Sequence, residues 1–100
     1  MGEAEQQWVF RNAEQEAQAG EVRLPSKYLR ADLRSGDMVR VCVVVTDGLH
    51  AGLAESCWLM VRAKSGLMYE GIVRSNLGFV RFRIGAKVEF GPEHVYEVLQ

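Results

Sequence analysis

The residues able to do chemistry are few in this chain and far apart. Its two histidines, His50 and His94, and its two cysteines, Cys42 and Cys57, fall in no CxxC or HxxxH arrangement. A structural zinc site draws about four N or S ligands from clustered positions, so no metal site is expected. Cys57, next to Trp58, is the best candidate nucleophile, but no base is placed beside it. It alternates onto the same side as Leu59 and Val61, and apolar surroundings raise a thiol pKa rather than lower it. The ten glycines form neither GxGxxG nor GxxxxGK[ST], the two familiar phosphate cradles. Asp37, Glu55, Glu70, Glu89 and Glu93 are scattered rather than paired for acid–base work. The chain is expected to be no enzyme and to need no cofactor.

The sharpest positive feature is a set of cations interleaved with rings. Trp58, Arg62, Arg74, Phe79, Arg81 and Arg83, with Lys64 among them, are the candidate binding residues. Arg and aromatic side chains dominate the energetics of protein interfaces. The same set offers cations for phosphates and rings for stacking on single-stranded nucleic acid. Twelve Lys and Arg against thirteen Asp and Glu give a net charge of −1, so no overall field recruits nucleic acid or an anionic membrane. A protein partner is therefore expected, with single-stranded nucleic acid as the alternative on the same face.

The elements that must position these residues are short. A length of 100 residues, 48% of them hydrophobic and 25% charged, fits one ordered domain, residues 1–100. Apolar runs such as Val41–Val45 fall far short of the roughly 20 residues a membrane-spanning helix needs. Residues 1–22 carry a net charge of −4 and residues 38–84 a net charge of +3. The first 20 residues read as an acidic helix over 3–19, with Val9, Ala13 and Ala17 at i, i+4, i+8 and Gly20 as its terminator. A second reading opens Trp8-Val9-Phe10 as a strand and starts a shorter helix after Asn12 as its cap.

Residues 24–99 read as mostly β. Ser26 caps a short turn through Tyr28, Leu29 and Leu33. Strands are expected at Met38–Thr46, Cys57–Lys64, Leu67–Ser75, Phe79–Ile84, Lys87–Phe90 and Val95–Leu99, each bounded by turn residues such as Ser65-Gly66 or Gly91-Pro92. Short spacers without helices imply antiparallel hairpins. Alternation puts Val39, Val41, Val43, Val45, Leu59, Val61, Ala63, Tyr69, Gly71, Val73, Val80, Phe82, Ile84, Val88 and Phe90 on one side. The other side holds the cations with Trp58, Met60, Met68, Ile72 and Phe79, a set too apolar to stand free. The expected fold is α+β: an N-terminal helix packed on a strongly curved antiparallel sheet or small partly open barrel of five to six strands, the helix covering part of the second side.

Cys57-Trp58-Leu59-Met60-Val61 followed by Tyr69-Glu70-Gly71-Ile72-Val73 resembles a small bacterial domain family of unknown function, with a [MF]WV[EK]V strand and a following hairpin ending in G-x-[LV]. Ile84-Gly85-Ala86-Lys87-Val88-Glu89-Phe90 is similar to that family's LGDxVxF segment, and Pro92-Glu93-His94-Val95 to its EHI turn. Ser35-Gly36-Asp37-Met38-Val39-Arg40-Val41 looks like its PGDxVKL opening strand. The resemblance runs from about Leu24 to Val98; Ala86 replaces the usual Asp, and residues 77–79 lack the family's Pro. It implies a mostly antiparallel β domain without catalysis, akin to some toxin-immunity-type proteins. An acidic start without a basic, apolar leader and two unpaired cysteines lead us to expect a cytoplasmic location.

Overall fold

The structure, a computed structural model, describes residues 6–78 and 80–99. Strand β1 (Trp8–Phe10) leads into helix α1 (Ala13–Gln18), then helix α2 (Lys27–Ala31). Strands β2 (Met38–Val45), β3 (Ala54–Ser65), β4 (Met68–Val73) and β5 (Lys87–Phe90) follow, then a 3₁₀ turn (Pro92–His94) and β6 (Glu97–Leu99). All pairings are antiparallel, in the order β1-β2-β3-β4-β5. β6 lies beside β2 as well. β3 takes one edge of β2, so β1 and β6 share the other, β1 along Val43–Val45 and β6 along Met38–Arg40.

The inner face of this curved sheet is the core. Val39, Val41, Val43 and Val45 alternate inward along β2, and Cys57, Leu59, Val61, Tyr69, Val73, Val88 and Phe90 continue the layer. Tyr69 and Phe90 stack at 5.3 Å between centroids. Gly71 sits between Phe90 and Leu59; a Cβ there would lie 3.0 Å from a Phe90 ring carbon. Glycine therefore serves close packing in this strand.

Three expectations are corrected. A continuous helix over 3–19 does not form, because Trp8-Val9-Phe10 pairs with β2 and turns Trp8 and Phe10 toward the core; residues 1–5 lie outside the described residues. The shorter helix is the one observed, with Asn12 accepting the Gln15 N–H at 3.1 Å. Secondly, the helices make no extended contact with the sheet: both lie against the 3₁₀ turn. Arg30 holds that corner together while almost fully buried. Its Nε donates to Pro25 O at 3.0 Å, and its Nη1 to Glu14 Oε2 at 2.6 Å and Pro92 O at 3.1 Å.

Thirdly, no strand forms over 80–84. Residues 74–78 and 80–86 form no strand and plug the sheet's interior, with Val80 buried and Leu77 and Phe82 packed on the core. Phe82 meets Trp8 edge-on at 4.6 Å. The backbone donors that a ladder would use go to side chains instead. Glu55 accepts Gly78 N–H at 2.6 Å and Val80 N–H at 2.9 Å, and Gln6 accepts Arg81 N–H at 2.8 Å. Ala63 and Ile84, expected in the core, are exposed: a register shift between Val61 and Ala63 breaks the alternation in β3, and Ile84 belongs to the loop.

Candidate interaction surface on the outer sheet face

Register builds the outer face row by row. Leu99, Met38, Met60, Ile72 and Lys87 are successive cross-strand neighbours over β6, β2, β3, β4 and β5. The row is apolar apart from Lys87. Glu97, Arg40 and Trp58 form the adjacent row, and Arg74 continues it through its N–H to Trp58 O at 2.8 Å. Met38, Met60, Ile72 and Trp58 are half-buried by one another, and Leu99 is exposed. Directly opposed side chains of this kind are the packing unit of a sheet surface.

The cations divide by partner. Arg40 reaches Glu97 through Nε at 3.2 Å and Ser56 Oγ at 3.3 Å. Arg62 is paired with Glu70. Lys64, expected on this face, is turned to the inner side by the register shift in β3, where it lies over the Tyr69 ring at 5.5 Å and donates to Ala31 O at 2.7 Å. The Arg74 guanidinium reaches the Met60 sulfur at 3.6 Å, and among the described residues neither Arg74 nor Lys87 has a carboxylate partner. These two charges flank the apolar row without compensation.

Of the six candidate residues, the structure brings Trp58, Arg62 and Arg74 onto this face. Arg81 and Arg83 are removed from it, because they belong to the plug loop rather than to a strand. Phe79 lies outside the described residues. Sequence reading placed Arg40 on this face without counting it among the binding candidates, and missed Met38 and Leu99 as members of the surface. Period-2 parity along Met38–Val45 carried the signal for Met38 and Arg40; the pairing of β6 with β2 carried none.

The reactive groups are buried or engaged. Burial pushes the Cys57 thiol up to about 11, and burial also raises Cys42, against the pull of Arg11 and Arg40. His94 Nδ1 accepts the Gly91 N–H at 2.9 Å, and burial lowers its pKa. The Tyr96 hydroxyl is buried beside Glu16; burial, and then the Glu16 carboxylate, raise its pKa. Among the described residues no group of three or more His, Cys, Asp or Glu could hold a metal ion. No described helix is long and apolar enough to cross a membrane. A shallow groove between α1 and the Leu24–Lys27 segment is lined by Arg30 and Glu14, which are bonded to each other. No family model, curated protein or solved structure matches this chain.

Proposed function

We propose that this domain is a non-catalytic protein-interaction module that binds through its outer sheet face. The observation that carries the reading is the Leu99–Met38–Met60–Ile72 row, uncovered by either helix and flanked by Arg74 and Lys87. Apolar side chains in a contiguous band, bordered by charge, are what an interface core and rim require. The partner this chemistry fits is a protein surface presenting apolar side chains with a carboxylate placed to meet Arg74. A bacterial, immunity-type role in the cytoplasm is the form of this reading that the sequence resemblance supports.

Nucleic acid fits less well. Arg40 and Arg62 are neutralised by Glu97 and Glu70, and Arg81 and Arg83 lie off the sheet, so few cations remain to track phosphates. The test compares wild type with Met60→Glu and Arg74→Glu in affinity capture, followed by titration of the recovered protein. Loss of binding in both variants, with fold retained, supports the reading. Equal retention by both overturns it. So does tight, steeply salt-dependent binding of a short single-stranded oligonucleotide in fluorescence anisotropy.

A further inference from the structure

The sheet ends differently on its two sides. On one, two three-residue strands, β1 and β6, divide the edge of β2 between Val43–Val45 and Met38–Arg40. At the other end of the strand order, among the described residues, β5 pairs with β4 alone, and no other helix or strand makes extended contact with it. Register decides which backbone groups that leaves open. Val73 N–H donates to Ala86 O at 2.9 Å, so the hydrogen-bonded pairs continue at Gly71–Val88 and Tyr69–Phe90. The N–H and C=O of Lys87 and Glu89 therefore point away from the sheet. No hydrogen bond within the described residues reaches them.

We propose that β5 is a self-association edge, pairing antiparallel with β5 of a second copy about a two-fold axis at Val88. Centred there, Lys87 of each copy faces Glu89 of the other. Those are the residues whose backbone groups point outward, so each pair exchanges two N–H···O bonds and the seam holds four. Both side chains lie on the outer face, where the two opposed pairs are of opposite charge. Val88 meets its own copy on the inner side.

The neighbouring registers fail on the same residues. A seam centred on Glu89 sets Glu89 against Glu89 and asks for the Gly91 N–H, which His94 already holds. A seam centred on Lys87 sets Lys87 against Lys87. Charged, short edge strands ordinarily discourage pairing, but a Lys-x-Glu edge is complementary to itself. The contact is symmetric and closed, so it stops at the dimer. The two outer faces lie on one side, and the Leu99–Ile72 row continues through Lys87 to the second copy. A four-residue seam belongs to the weak, concentration-dependent class of interfaces. This inference stands apart from the proposed binding function.

Sedimentation velocity on the full chain, from micromolar to about 1 mM at low salt, tests it. Wild type should show a reversible monomer–dimer equilibrium. Glu89→Lys and Lys87→Glu, each putting like charges opposite one another, should weaken it about tenfold or more. The double swap Lys87→Glu/Glu89→Lys should restore it, and an equimolar mixture of the two single variants should form the heterodimer. Unchanged far-UV circular dichroism and thermal midpoint in each variant show that folding is not the cause. A wild-type monomer at about 1 mM overturns the proposal. A dimer that ignores both single substitutions overturns it as well.

Discussion

The same strands present two faces that are built by different rules. Inside, side chains from β2 to β5 are buried to completion, and Gly71 is required because a methyl group there would press on Phe90. Outside, a Trp, two Met and an Ile cover one another only halfway, with no helix over them. The inner face is close-packed and carries the stability. The outer face leaves its apolar side chains only half covered.

Substitutions can break or sharpen that contrast. Phe90→Ala, on the inner face, should destabilise by about 3–5 kcal/mol in urea unfolding, since it removes the stacking partner of Tyr69 and leaves a cavity. Gly71→Ala should cost about 1–3 kcal/mol, because the added carbon meets Leu59 and Phe90 at 3.0–3.3 Å in a full core.

His94 makes the stability of the fold depend on pH. Its folded pKa is depressed by burial below the ordinary 6.5, so the unfolded chain binds the proton first. Its contribution is fully present above pH 6.5 and is lost as pH falls through the lower folded value. Protonation turns the Nδ1 acceptor into a donor facing Gly91 N–H, a loss of about 1 kcal/mol. Thermal midpoints between pH 7.5 and 5.5 should show the fall in wild type and a flatter profile in His94→Asn. Smallest of all, Met60→Gln on the outer face should change stability by no more than about 0.5 kcal/mol. A loss as large as that of Gly71→Ala would show that the outer row belongs to the core after all.

The hairpins were legible in the sequence because inward valines alternate cleanly in Met38–Val45 and turn residues such as Ser65-Gly66 bound the strands. The N-terminal segment admitted two readings, since its Ala, Glu and Gln favour helix while Trp8 and Phe10 alternate; the deciding contact, with Val43 and Val45, is remote in sequence. Residues 80–84 imitate a strand because Val80 and Phe82 are apolar at spacing two. They are apolar as plugs, and what fixes them is a carboxylate about 25 positions earlier, Glu55. That error also misplaced Arg81 and Arg83 in the candidate surface. Trp58, Arg62 and Arg74 shared a face as parity required, but parity says nothing of which arginine has a carboxylate across the strand.

The sharing of one edge of β2 by β1 and β6 has a consequence for synthesis. β1 precedes β2 and can zip onto it early, whereas the segment that closes Met38–Arg40 is Glu97–Leu99, with Arg40 and Glu97 57 positions apart. At roughly 5–20 residues per second, the Met38–Arg40 stretch of the β2 edge stays open for about 3–11 s while the intervening chain is made. Pairing across so long a loop is also slow to nucleate. The nascent protein thus passes through a state in which a valine-rich strand has a bare edge, and whatever shields that edge in the interval sets how much of the chain escapes aggregation.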